Sequence, residues 1–328
     1  MRIASDGLPD RSAMVRARLF LLLSVSLAGC AAASPTPMNV ETTGTVAFET
    51  WTPTIGQFLQ GAAPGAPVTI SGDLKLPAGT TARVPAMVIV HGAGGISQGE
   101  MQWARDILKI GVATFVIDSF TGRGIRETQT GQTNLPIVVS IVDAYRALAL
   151  LGRHPRIDPA RIGILGLSRG GGVSLYASLR RFQRMHAPPD LAFAVYVAFY
   201  PPCNTRYVGD EDVSDRPIRI LHGEADDQTL FAACRDYVAR LRQAGKNVEI
   251  VGYPGAHHSF DGVHARTDRT TRNFSQCRFD EAQPLADLNA YVASCVSRGV
   301  TRAYDARAHA DAVRRVTALL SETFGSGR

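Results

Sequence analysis

Short, continuously apolar runs recur along this chain, separated by stretches of quite different period. AMVIV (86–90), VATFVI (112–117), IGILGL (162–167) and AFAVYVAF (192–199) come first, and IRILHG (218–223) and VEIVGY (248–253) follow. Glycine, proline or charge bounds each run. A strand that is apolar at every position has no wet face, so these six predict strands of a parallel sheet covered on both sides. The stretches 99–110, 136–153, 171–183 and 228–245 carry apolar residues at helical spacing. Strands alternating with helices predict an α/β fold. PVTISGDLKLP (67–77) instead alternates apolar and polar residues, the pattern of an antiparallel strand with one solvated face. Residues 283–325 are helical in pattern, and no repeat or linker interrupts the chain after residue 45. One α/β domain over 46–328, ending in a helical extension, is the expected organisation.

The N-terminus follows other rules. MVRARLFLLLSVSLAGCAAAS (14–34) runs from Arg16 and Arg18 through an apolar stretch to small residues, the order of a bacterial secretory signal. Met1 and Met14 are both possible starts, since residues 1–13 add nothing signal-like. LAGC, ending at Cys30, resembles the lipobox of bacterial lipoproteins, in which that cysteine is lipidated. Ala31 after it resembles the sorting pattern for the outer membrane. Residues 1–30 are therefore expected to be a signal, 31–45 a tether, and the protein exported and held at the membrane through a lipid on Cys30. Cleavage after the A-x-A at 31–33 is the alternative, giving a free periplasmic protein.

The 328 residues are 45% hydrophobic and 20% charged, enough apolar material for a large core. Loss of residues 1–30 removes four arginines and two aspartates, so the formal charge of +6 falls by two. Only Lys75, Lys109 and Lys246 are lysines; the remaining basic charge is scattered arginine, with no basic run interleaved with aromatics. That pattern reads as a solvated surface and predicts no nucleic-acid partner. After Cys30, four cysteines remain, Cys203, Cys234, Cys277 and Cys295. In an oxidising compartment an even number implies disulfides, with three possible pairings. None has zinc spacing, and no metal or cofactor is expected.

Ser168 is the residue whose surroundings demand chemistry. GLSRG (166–170) directly follows the apolar run 162–167 and opens a helical stretch, the G-x-S-x-G arrangement of a nucleophile elbow. Glycines on both sides let strand and helix approach closely, and the helix N-terminus favours developing negative charge at the serine. A base and an orienting acid are then required. Asp226 sits in LHGEADDQT (221–229) after one strand, and His258 in YPGAHHSFD (253–261) after the next. Asp227 or Glu224 could replace the acid, and His257 the base. His154, His186, His222, His264 and His309 lack such placement and read as surface or packing residues. HGAGG (91–95), after the run 86–90, is the side-chain-poor loop of an oxyanion hole, with N–H groups from Ala93 and Arg169. No P-loop or dinucleotide fingerprint is present. A histidine base works when neutral, so activity should rise with pH through about 6.5.

VIVHGAGG, DSFTGRG (118–124), IGILGLSRGGG, LHGEADDQT and YPGAHHSFD together resemble the dienelactone hydrolase family of α/β hydrolases, over about residues 65–262. The resemblance implies an eight-stranded, mostly parallel sheet with helices on both faces. It also implies a carboxylic-ester hydrolase needing no cofactor, acting on a small-molecule ester. By matching position, Ser168 is nucleophile, Asp226 acid, His258 base, and Ala93 and Arg169 the oxyanion donors. The namesake enzyme carries cysteine where this chain has Ser168. On that fold Cys203 follows the run 192–199 and Cys234 lies on the helix after Asp226, so Cys203–Cys234 is the expected bond, leaving Cys277–Cys295 in the extension. His91, Arg123, Tyr200 and His257 are candidates for the substrate pocket, and Arg126 is a further cation near it. An acyltransferase or peptidase could use the same triad, and a non-catalytic surface lipoprotein could keep the scaffold.

Overall fold

The computed structural model describes residues 43–325 apart from 63–64, 132–133 and 284. The signal, Cys30 and nearly all of the expected tether lie outside the described residues. Strands β1 (Gly44–Thr50), β2 (Val68–Lys75), β3 (Val84–Val90), β4 (Ala113–Asp118), β5 (Ile157–Leu167) and β6 (Tyr196–Phe199) belong to one sheet. After the two-residue β7 (Thr205–Arg206), β8 (Ile218–Gly223) and β9 (Val248–Tyr253) complete it. The spatial order is β1-β2-β4-β3-β5-β6-β8-β9. β2 runs antiparallel to both its neighbours, and every other pairing is parallel. This is the α/β-hydrolase fold.

Alternate residues of each apolar run enter two different cores, which is why the runs carry no polar face. In β3, Ala86, Val88 and Val90 join one cluster, while Met87 and Ile89 join the other. The first cluster is closed by α1 (Ile55–Gln60), α3 (Ile137–Gly152), α5 (Arg180–His186) and α6 (Phe231–Gln243). The second lies under α2 (Gln98–Lys109) and the C-terminal α8 (Ala306–Phe324). Helix α2 starts where Ser97 and Glu100 form a capping box, and buries Trp103, Ala104 and Ile107 along one stripe. Helix α8 starts at Asp305, whose carboxylate accepts from the N–H groups of Arg307 and Ala308. It buries Ala308, Ala312, Val316, Leu320 and Phe324, a strict four-residue spacing on one face.

The structure departs from the sequence pattern in five places. Strand β1 was not anticipated: its apolar face is Val46, Phe48 and the uncharged Thr50, a weak signal, and it starts at Gly44 inside the expected tether. β5 begins at Ile157, five residues early, and its pairing with β3 shifts register between Val84 and Ala86. The run 192–199 contributes a regular strand only from Tyr196, although the Ala194 N–H and Val195 carbonyl already bond across to β5. The helix expected over 171–183 is two helices, α4 (Arg169–Tyr176) and α5, because Leu179 leaves the axis to bridge Val213 and the Tyr145 hydroxyl ties down the Ala177 carbonyl. The C-terminal extension is only partly helical. β10 (Asp268–Asn273) pairs with β12 (Ser297–Val300), β11 (Phe279–Asp280) pairs with β7, and α7 (Leu288–Cys295) lies between β11 and β12 in sequence. The cysteines pair as Cys203–Cys234 and Cys277–Cys295.

Candidate active site

Ser168 stands between the end of β5 and the first residue of α4, with φ 55° and ψ −116°. That backbone conformation is one a residue with a side chain adopts only under constraint, at a cost of about 1–3 kcal/mol. The surroundings enforce it: the Ser168 N–H bonds the Phe199 carbonyl, and its own carbonyl accepts from Gly172. Strand and helix meet through the flanking glycines. A Cβ on Gly166 would stand 1.9 Å from the Gly170 carbonyl oxygen, and one on Gly170 would stand 2.1 Å from that of Val90. All those atoms are main chain and cannot rotate away. Gly170→Ala is therefore expected to cost about 4 kcal/mol or more, a loss that urea unfolding followed by circular dichroism would measure. A cost below 1 kcal/mol would show that the elbow can relax.

The Ser168 hydroxyl is 2.9 Å from Nε2 of His258, and Nδ1 of that ring is 2.7 Å from Oδ2 of Asp226. With a carboxylate facing Nδ1, the imidazole carries its proton there, and Nε2 is left to accept from the serine. Three residues separated by 58 and 32 positions thus form one hydrogen-bonded line. Asp226 is buried and fully engaged: Oδ1 accepts from the N–H groups of Gln228 and Thr229, and Oδ2 also lies 2.9 Å from the Thr229 hydroxyl. Burial pushes its carboxyl upward, but the His258 charge and these hydrogen bonds outweigh that and hold it below the ordinary carboxylate range. Asp227 and Glu224 face elsewhere. Asp227 accepts from the N–H and hydroxyl of Thr301, and both residues are exposed. His257 binds the Ala225 carbonyl.

The loop 91–95 arrives from β3 beside the serine, where a Cβ on Gly92 would sit 3.6 Å from that of Ser168. His91 shapes this loop rather than a pocket. It is buried, its Nδ1 donates to the Gly92 carbonyl, and its Nε2 accepts from the Ser119 N–H. Burial keeps its pKa below the ordinary histidine value. Ala93 is fixed through its own carbonyl, which accepts from Thr128. Among the described residues no acceptor takes the N–H of Ala93 or of Arg169. The Arg169 side chain is buried, donating to the Ser140 hydroxyl and the Leu135 carbonyl, which anchors the first residue of α4 to the start of α3. Burial draws its guanidinium down to about 10, so it remains a cation at neutral pH.

Two sequence candidates do not reach the site. Arg123 spends all five N–H groups inside the protein, on Asp143, Thr52, Ser119 and Trp51, because the DSFTGRG loop must be tied to β1 and α3. Arg126 is exposed. Tyr200 does reach it, though as support: at φ 35°, its ring packs edge-on against His258 with centroids 4.6 Å apart, and its hydroxyl donates to the buried Asp261. Asp261 is also held by the Trp103 indole. Sequence reasoning missed Thr229, inside LHGEADDQT, while His222, read as a surface or packing residue, is a packing residue beside the acid. That ring is wholly buried with Nδ1 3.9 Å from Oδ2 of Asp226, and burial lowers its pKa. Its four-residue spacing from Asp226 was the available signal. His186 stacks on Phe58, His309 lies edge-on to Trp103, His154 is buried and accepts from Arg156, and His264 is exposed. Among the described residues no group of three or more histidine, cysteine or acidic side chains is gathered as a metal would require.

A cavity of about 450 Å³ has Ser168, Ala93 and Arg169 in its lining. Most of the rest of its wall is apolar and comes from two directions, the α3–α4 side of the fold and the C-terminal extension.

Comparison with known proteins gives the arrangement its relatives. Over 104 residues the chain is 30% identical to a carboxylesterase of Arabidopsis thaliana, a match covering 31% of this chain and 43% of that one. Over 155 residues it is 25% identical to an uncharacterized peptidase of Bacillus subtilis, covering 39% of this chain and 23% of that one. The matched segments thus span less than half of either relative. Among solved structures, a dienelactone hydrolase-like promiscuous phosphotriesterase from metagenomic libraries superposes with a TM-score of 0.58 at 18% identity, covering 86% of this chain and all of the other. The profile of the dienelactone hydrolase family matches residues 70–324, nearly the whole described fold from β2 to the end of α8, and the chain belongs to that family.

Proposed function

We propose that this protein hydrolyses carboxylic esters through a covalent acyl-enzyme on Ser168. The carrying observation is the continuous line Ser168 Oγ, His258 Nε2, His258 Nδ1, Asp226 Oδ2, with 2.9 Å and 2.7 Å at its two contacts. His258 removes the Ser168 proton as Oγ attacks the ester carbonyl. Negative charge grows on the carbonyl oxygen, and the unengaged N–H groups of Ala93 and Arg169 receive it. His258 then gives its proton to the departing alcohol, and water repeats the sequence to release the acid. Asp226 stays ionised and keeps the ring in the tautomer that both steps need. Family membership and the carboxylesterase similarity support the ester as substrate.

The N-terminal signal and the two disulfides support export to an oxidising compartment, with Cys30 as the lipid-bearing residue. Amide cleavage by the same residues is the second reading, favoured by the peptidase similarity. The test is a small fluorophosphonate, on which Ser168 Oγ forms a bond to phosphorus as fluoride leaves. Peptide mass mapping should find the adduct on Ser168 and nowhere else. Folded protein that takes no label there, or takes it on another residue, defeats the assignment. Matched p-nitrophenyl esters and p-nitroanilides then separate the two readings by rate.

A further inference from the structure

We infer that the acid portion of the substrate is an extended apolar chain, held in the cavity that the disulfide-closed extension roofs over. This rests on the ester-hydrolase reading and specifies the side of the ester that the site measures.

The cavity wall facing the fold is Ile137 from α3, Tyr176 from α4, and Pro202 beyond β6; the wall facing the extension is Phe274, Phe279 and Val292. Hydrocarbon on both sides favours hydrocarbon between them. Its volume of about 450 Å³ is far more than an acetyl group would use.

The orientation follows from which members of the triad touch the cavity. The leaving alcohol must lie against Nε2 of His258, because that atom protonates it. His258 is absent from the described lining, which approaches that ring only through Thr229 on its Nδ1 edge, whereas Ser168 and both oxyanion donors are in it. A group running from the carbonyl into the cavity therefore extends away from Nε2, which is the acyl side.

The extension is also fixed firmly enough to measure chain length. β11 pairs with β7, so Phe279 is held opposite Thr205. Asn204 donates to the carbonyls of Phe274 and Cys277, and Arg181 meets Glu281 at 2.7 Å. Cys277–Cys295 closes the roof on itself, while Cys203–Cys234 fastens the segment beside β7 to α6. The charged residues in this wall all have partners in the protein: Arg278 donates to the carbonyls of Ser275 and Cys277, Glu281 accepts from the Val208 N–H besides its arginine, Asp280 accepts from the Ala282 N–H, and Arg206 faces Asp210 at 3.8 Å.

The experiment is a series of p-nitrophenyl esters from acetate to dodecanoate, run on the mature protein with its disulfides intact. Since burying one methylene is worth about 0.8 kcal/mol, kcat/KM should rise about fourfold per added carbon, then fall once the cavity is full. Val292→Trp, which fills it, should lower the octanoate-to-acetate ratio at least tenfold. Phe279→Ala, which enlarges it, should move the optimum to longer chains, and reads out the inference even if the tryptophan variant does not fold. A flat chain-length profile, or a profile that neither variant shifts, overturns the inference; if Ser168 still takes the fluorophosphonate, the ester-hydrolase reading survives that result. Folded protein without the label and without turnover of any ester overturns both.

Discussion

Ser168→Ala is expected to lower kcat on p-nitrophenyl esters by about 10⁴–10⁶-fold, with the melting temperature nearly unchanged. The alanine variant loses the atom proposed to attack the carbonyl, and no neighbouring hydroxyl or thiol of the triad line can replace it. What remains is binding and the two oxyanion N–H groups, which by themselves sustain only a small residual acceleration. Stability should move by less than about 1 kcal/mol, because the hydroxyl contributes one hydrogen bond in a partly open position. The backbone at φ 55° is as strained for alanine as for serine, so that cost is common to both proteins. Initial-rate kinetics together with thermal unfolding test both halves. A variant that keeps more than a hundredth of the activity would place the nucleophile elsewhere; one that loses activity and unfolds would say nothing specific about attack, which is why both measurements are needed.

The sheet was legible because parallel strands buried on both faces leave unbroken apolar runs, and a run such as 86–90 cannot be satisfied at a surface. That the three proposed triad residues would come together was legible for a related reason. Chemistry in this fold gathers where strands end, and Ser168, Asp226 and His258 each follow a strand end by a few residues. Side chains acting through a neighbour were not legible. Thr229 matters because Asp226 turns back to accept its N–H, a contact set by three-residue loop geometry. Tyr200 was named as a pocket candidate, but its contact with His258 was not foreseeable, because it comes from a backbone at positive φ that turns its ring onto that histidine. Arg123 looked available because composition cannot show that Asp143, sixteen-residue helix α3 and strand β1 converge on it. The roof failed for a different reason. β11 is two residues long and pairs with another two-residue strand, too short to leave any period in the sequence.

Asp226→Asn should reduce kcat by about 10⁴-fold with much less effect on KM. The asparagine fits the space, but one end of its side chain is now a donor. Turned toward His258, the amide forces Nδ1 to accept, which puts the ring proton on Nε2, facing Ser168. An imidazole in that tautomer cannot take the serine proton. Turned the other way, the amide confronts the N–H groups of Gln228 and Thr229, donor against donor in a buried site. Asp227→Asn is the matched control and should keep nearly full activity, since Asp227 serves Thr301. The same substitution carries a pH signature. Asp226 is held below its ordinary carboxyl value in the folded protein, so on acidification the unfolded chain takes up the proton first. Its stabilisation is complete above about pH 3.9, the unfolded value, and is lost as pH falls through the folded one. Urea unfolding of the two proteins should therefore differ by a constant amount from neutral pH downward, and the gap should close only below about pH 4. A gap that closes near neutral pH instead would mean that the carboxylate is not the ionised partner that His258 leans on.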